Sequence, residues 1–203
     1  MTLLEQFISE ELTLKNRVVM APMTRCRADN KENVATDLIA QYYAQRASAG
    51  LLITEGTFIN EMVPGYINVP CIYTREQIDG WKKVTSAVHR EGGKIFAQLW
   101  HVGRLSHPDL LNGKLPFGPS AINGKFTCYT RDGFKETVTP QAMTIEDIEI
   151  QLITLKNQHI LNDRMTLTNT MYSEALLVRP DDFIAAKSTP KNILNMLSAI
   201  LSR

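Results

Sequence analysis

Glycine is absent from the last 70 residues of this chain; all eleven glycines lie between Gly50 and Gly133. At a usage of ~7%, about five would be expected in that tail. Their loss excludes a glycine-backbone phosphate cradle there. Cysteine is scarce: Cys26, Cys71 and Cys128 are widely spaced, with no CxxC. This argues against a disulfide framework or a zinc ribbon and fits a reducing, cytoplasmic location. No charge sign dominates, with 22 Lys+Arg against 21 Asp+Glu and a net charge of +1. Nucleic acid and anionic membranes therefore have no electrostatic case as partners. No apolar run approaches ~18 residues, so no spanning helix is expected. Met1–Ser9 carries acids and lacks an apolar core, so no signal peptide is expected either. What remains is ordinary: 203 residues, 44% hydrophobic and 21% charged, enough to bury a core.

The first two-thirds alternates short buried strands with amphipathic helices. Arg17–Met20 is a short apolar run ending at Ala21-Pro22. A helix is predicted from Thr36, its N-cap, to Ala49, with Gly50 as C′ residue. Leu51–Glu55 reads as a strand buried on both faces and ended by Gly56. A second helix starts at Thr74, where Thr74 and Gln77 can form a capping box. Ile78, Trp81, Val84 and Val88 give it an apolar stripe, and Gly92-Gly93 end it. Lys94–Leu99 is a third strand. This alternation implies parallel strands with right-handed crossovers, the opening of either a doubly wound sheet or a (β/α)8 barrel.

After Trp100 a long irregular stretch runs from Gly103 to Pro140, and Thr144–Asp147 looks like another helix start. Past Ile150 the pattern degrades. Met165–Thr168 alternates like a strand fragment, Ser173–Val178 fits helix or strand, and Thr189-Pro190 can cap a last helix.

Ligands of parallel α/β folds sit at the carboxyl ends of the strands. Here those ends read Ala21-Pro22-Met23-Thr24-Arg25, Thr54-Glu55-Gly56-Thr57 and Gln98-Leu99-Trp100-His101. Their hydroxyl, amide and carboxamide groups are hydrogen bonders rather than nucleophiles, and suit a flat heterocycle. His101 and His107 lack an acidic or cysteine partner, so a metal site is not expected. Cys26, between two arginines, could have a lowered pKa but reads better as a plain loop cysteine. Arg104 is expected to form a structural ion pair.

These strand ends, with Tyr42-Tyr43-x-x-Arg46-Ala47-Ser48-Ala49-Gly50-Leu51, Val102-Gly103-Arg104, Ser106-His107-Pro108 and Gly118-Pro119-Ser120-Ala121, resemble the old yellow enzyme family. The nearest likeness is to its N-ethylmaleimide-reductase type. The resemblance covers residues 1–149, with several motifs in the right order and spacing. It implies an α/β fold that is a partial (β/α)8 TIM barrel of three to four βα units, with residues 150–203 a divergent tail. It also implies FMN as cofactor, NAD(P)H as reductant and an activated alkene as small-molecule substrate. On that pattern Ala21, Pro22 and Met23 line the flavin with backbone groups. Thr24 bonds a flavin carbonyl, the Gly56 amide approaches the isoalloxazine, and Gln98 holds the pyrimidine edge. Tyr66 and Trp100 face the substrate.

A complete barrel takes typically ~250 residues. The family's His-x-x-Asn or His-x-x-His pair, its proton-donating Tyr, its flavin-contacting Arg and its glycine-rich phosphate site find no counterpart. His159-Ile160-Leu161-Asn162 has the right spacing in the wrong context. The expectation is therefore an oxidoreductase by descent, impaired as this chain and without assigned catalytic residues. The alternative is a non-catalytic half-barrel without flavin that associates, as a homo-oligomer, to complete its sheet.

Overall fold

The computed structural model describes residues 2–9, 12–151, 175–178 and 184–188. An antiparallel pair, β1 (Phe7–Ile8) and β2 (Thr13–Leu14), opens the chain. Then come β3 (Val19–Met20), α1 (Asp37–Ala44), β4 (Leu51–Phe58), α2 (Arg75–Arg90) and β5 (Ile95–Trp100). The three strands form one sheet in the order β3-β4-β5, and both pairings are parallel.

Helix α1 starts where the sequence places it. The Thr36 hydroxyl accepts from the Ile39 amide, and Ile39, Ala40 and Tyr43 face the core. It is shorter than the predicted run to Ala49. After Ala44 the backbone tightens into i→i−3 turns, with Arg46 bonded to Tyr43, Ala47 to Ala44 and Ala49 to Arg46. Nor does Gly50 act as a left-handed C′ residue, since the positive-φ glycines described are Gly92, Gly103, Gly113 and Gly133. Its lack of a side chain serves close approach instead. A Cβ there would sit 2.1 Å from the Asn16 carbonyl oxygen. The Gly50 amide donates to the Val18 carbonyl at 2.9 Å, which sets β4 beside β3.

Helix α2 follows its sequence signals closely. Thr74 and Gln77 form the reciprocal capping box. The buried Gln77 side chain is fully used, since Oε1 also accepts from the Tyr73 amide and Nε2 donates to the Glu32 carbonyl. Gly92 at φ 68° then reverses the chain. Trp81, Val84 and Val88 of α2 interlock with Ile39, Ala40 and Tyr43 of α1, over Leu52 of β4 and Ile95 of β5. At ~1.5–3 kcal/mol for each large side chain fully buried, this cluster is the main source of stability for the sheet-and-helix unit. Lys15 Nζ bonds the Ala47 carbonyl and, at 3.4 Å, the Gly92 carbonyl. A cation thus sits where both helices end, as the helix dipole favours.

Strand β4 runs past Gly56 to Phe58, whereas the sequence suggested a stop at Gly56. The extension depends on a bulge. Ile53 pairs with Phe96, but Gly56 pairs with Gln98, so β4 carries one extra residue in that interval. Beyond β4 the chain loops back, Cys71 bridges to Phe58, and Phe58, Ile59, Val63, Val69, Cys71 and Val102 form a second core cluster.

The stretch 103–140 is more regular than its composition suggested. It holds a short 3-10 turn (Pro108–Leu110), β6 (Phe117–Gly118), β7 (Thr127–Thr130) and β8 (Gly133–Glu136). β7 and β8 form an antiparallel hairpin, and β6 pairs in parallel with β9 (Gln141–Ala142). Alternating burial along β7 and Gly133 at φ 99° account for the hairpin. The expected helix start holds: Thr144 and Asp147 bond reciprocally, and residues 145–151 are helical. Hydrogen bonds from Thr144 hold the Asp147 carboxyl below its usual pKa. In the tail, β10 (Ala175–Val178) is strand rather than helix and pairs antiparallel with β11 (Ile184–Ser188). The 165–168 fragment, the His159–Asn162 spacing and the helix after Thr189-Pro190 lie outside the described residues.

Candidate functional site

The carboxyl ends of β3, β4 and β5 lie side by side. Ala21, Met23 and Thr24 are exposed and Pro22 is half-buried, in the segment leaving β3. That segment is anchored one residue later. The Arg25 guanidinium pairs with Glu55 Oε1, and the Arg25 amide donates to Glu55 Oε2 at 3.2 Å. The Glu55 side chain is 0% exposed. A buried carboxylate needs a charged, hydrogen-bonding partner, and Arg25 supplies both contacts. The guanidinium also lies 3.7 Å from the Tyr42 ring centroid and 4.8 Å from that of Tyr43. Arg46 covers Tyr42 at 3.6 Å. Arg25 Nε is buried without a partner among the described residues. The Tyr43 hydroxyl accepts from the Glu55 amide at 2.8 Å, and burial pushes its pKa up to about 12.

The bulge fixes the β4 end against β5. The Thr54 hydroxyl donates to the Glu55 carbonyl at 2.8 Å and accepts the Gln98 amide at 3.0 Å. Thr57 adds a second hydroxyl to the Glu55 carbonyl at 3.0 Å. Gly56 and Gln98 are therefore register partners. The Gln98 side chain is half-buried, and neither its carboxamide nor the Thr24 hydroxyl has a protein partner among the described residues. A Cβ on Gly56 would fall 2.2 Å from the Trp100 ring, so glycine lets the indole settle on the β4 backbone. Trp100 in turn stacks between Phe58 and Tyr66, both at 5.6 Å between centroids. Tyr66 bridges to Tyr129, whose ring meets Phe134 at 5.0 Å.

The structure thus gathers Thr24, Gly56, Gln98, Trp100 and Tyr66 around the strand ends, with Ala21, Pro22 and Met23 leading into the Arg25 anchor. Sequence reasoning missed the anchor itself, and it missed Phe58 and Tyr129. The signal was present: a glutamate in a strand otherwise buried demands a cation, and Arg25 ends the neighbouring strand's segment.

Three other residues have defined environments. Cys26 sits at φ 54°, and burial and then Glu55 raise its thiol pKa, so Arg27 does not activate it. Arg104 forms no ion pair among the described residues; it donates to the Ile122 carbonyl at 2.8 Å and the Ser120 hydroxyl at 3.1 Å. Its turn offers neutral oxygens in place of an acid. His101 Nδ1 accepts from the Gly103 amide at 3.0 Å, and burial pulls its pKa down to about 4. No described helix is long and apolar enough to cross a membrane.

A sheet of sequential parallel strands, helices on one side and neutral hydrogen bonders at the strand ends fit the opening of a (β/α)8 barrel, the class to which the similar solved structures belong. Morphinone reductase in complex with tetrahydroNAD matches at TM-score 0.74 and 39% identity, over 80% of this chain and 46% of that one. The old yellow enzyme homologue from Zymomonas mobilis matches at TM-score 0.73 and 39% identity, over 77% and 44%. A flavin oxidoreductase of Emericella nidulans is 46% identical over 143 residues, 67% of this chain and 36% of the relative. The 12-oxophytodienoate reductase 7 of Oryza sativa subsp. japonica is 57% identical over 95 residues, 46% of this chain and 24% of the relative. The model of the NADH:flavin oxidoreductase / NADH oxidase family matches residues 6–156. The chain belongs to that family, the old yellow enzymes, and spans under half the length of these relatives.

Proposed function

We propose that this chain supplies the flavin-facing part of an FMN-dependent oxidoreductase that reduces activated alkenes with NAD(P)H. The observation that carries the reading is the side-by-side placement of Thr24, Gly56 and Gln98 at three neighbouring strand ends beside the Trp100–Tyr66 stack. The unpartnered Gln98 carboxamide and Thr24 hydroxyl fit the polar edge of a planar heterocycle. When bound, FMN supplies the chemistry of accepting and passing on a hydride. The protein's part is to hold and orient: Ala21, Pro22 and Met23 with backbone groups, Thr24 with its hydroxyl, Gly56 by close approach and Gln98 with its carboxamide. Trp100 and Tyr66 form the wall against which a flat substrate rests and from which water is kept.

Residues 1–149 make up this unit, and 150–203 a divergent tail, in a cytoplasmic protein. The chain alone holds FMN weakly. The groups described address a ring, while Arg25, the cation beside the strand ends, is committed to Glu55 rather than to a phosphate. Flavin content of the purified chain, with NADPH consumption in the presence of an enone, tests both parts. Stoichiometric FMN with enone reduction overturns weak retention. No change in flavin fluorescence at saturating FMN overturns the flavin reading.

A second reading has its own support. β3 is an edge strand with no outer partner among the described residues, and Val18 and Val19 are 40% and 47% exposed. Such an edge favours association of copies without catalysis.

A further inference from the structure

We propose that the Arg25–Glu55 pair is the positioning device of the candidate site, holding the Ala21–Thr24 segment in place before any ligand arrives. The proposal rests on the reading of Thr24 as a ligand-facing residue. Glu55 reaches across from β4 and uses both carboxylate oxygens on one residue, Oε1 on the guanidinium and Oε2 on the Arg25 backbone amide. The second bond acts directly on the chain. It fixes the peptide that joins Thr24 to Arg25, and hence where the exposed Thr24 hydroxyl points. The first bond keeps Arg25 from swinging away, and the Tyr42 and Tyr43 rings close over the guanidinium.

Glu55 is itself held on all sides. Its amide donates to the Tyr43 hydroxyl, and its carbonyl accepts from Thr54 and Thr57. Through Thr54 the same residue is coupled to the Gln98 amide. One buried glutamate therefore connects Thr24, Gly56 and Gln98, which lie on three different strand ends. A purely structural ion pair would need only the guanidinium contact. The contact to the amide beside Thr24 is what makes this a positioning arrangement.

The test uses the full chain and two variants, Glu55→Gln and the double variant Arg25→Met/Glu55→Met, which leaves the residue-25 amide no side-chain acceptor. Glutamine keeps one oxygen and turns the other into a donor, so one of its two contacts always sets donor against donor. The double variant removes both charges and spares the fold an unpaired buried cation. Amide hydrogen exchange is read without ligand. The expected result is exchange at the Arg25 amide faster by about tenfold, with Leu52, Val84 and Val88 unchanged. Where the wild type binds FMN, its affinity falls about tenfold in both variants, because the segment must then be ordered on binding. Arg25→Lys, which keeps the amide-to-Glu55 bond, is expected to retain the wild-type exchange. Unchanged exchange at residue 25 in either folded variant overturns the proposal, as does a uniform rise across the sheet. A wild type that never binds FMN overturns the flavin reading alone; the exchange result still decides the role of the pair.

Discussion

His101 puts a titratable ring where the fold leaves no room for its charge. Its Nδ1 is taken by the Gly103 amide, so the proton of the neutral ring sits on Nε2, which is buried without a partner among the described residues. Folded, the imidazole titrates at about 4 against an ordinary 6.5. Between those values the unfolded chain binds a proton that the folded chain refuses. The contribution of His101 to stability is therefore complete above 6.5 and is lost as pH falls toward 4. Urea unfolding at about pH 7.5 and pH 5 should show this loss in the wild type and a smaller one in His101→Gln. Equal pH dependence in both would place the titrating group elsewhere. Residue identities at the strand ends were legible because Thr, Gly and Gln stand out where ligands bind. The Arg25–Glu55 bond was not, because it joins residues thirty positions apart and only the fold brings them together.

Local chemistry acts most visibly on the elements. α2 was legible from end to end, because a capping box, an apolar stripe and a terminal glycine pair all point the same way. α1 was legible only at its start. Its last turn is set by the crossing of Asn16 over Gly50, a contact between distant segments that no local pattern announces. Gly50→Ala tests that account. Its methyl group would meet backbone, which cannot rotate away, so we expect destabilisation of about 1–3 kcal/mol and a lowered Tm. Gly92→Ala is the control: its space is open and only its positive φ of 68° is strained, so the cost should be smaller. A Gly50→Ala chain as stable as wild type would show that Asn16 and Gly50 do not approach as described. The hairpin β7–β8 was hidden by its surroundings, since glycine and proline on both sides made the whole stretch read as loop.

At the scale of the whole molecule, the hairpin β1–β2 and Lys15 lie toward the starts of the strands, where Lys15 ties the ends of α1 and α2 together. The groups proposed to face the ligand gather at the opposite end. The parallel α/β class was legible in the strand–helix alternation, and the barrel, like the family, in the strand-end motifs. How residues 152–174 are arranged lies outside the described structure. The exposed Val19 of β3 and Val18 before it give the molecule a sticky margin. Val19→Lys places a charge there, as natural edge strands do, and should lower the mass seen by size-exclusion chromatography with light scattering if copies associate through this edge. An unchanged, multimeric mass would move the association surface elsewhere.

The bulge in β4 carries a consequence that concerns counting rather than chemistry. Side chains along a strand alternate faces, so one residue more or fewer reverses everything beyond it. In β4 the bulge absorbs the extra residue: Ile53 and Gly56, three positions apart, pair with Phe96 and Gln98, two apart, and so share a face. Deleting it would leave a perfectly regular ladder and an unchanged store of apolar side chains. Gly56 and Phe58 would keep the face they share with Gln98 and Trp100, but the shortened segment would give up either Thr54, which holds the Gln98 amide, or Glu55, which holds Arg25. The segment can absorb many substitutions, but it cannot absorb a change in length.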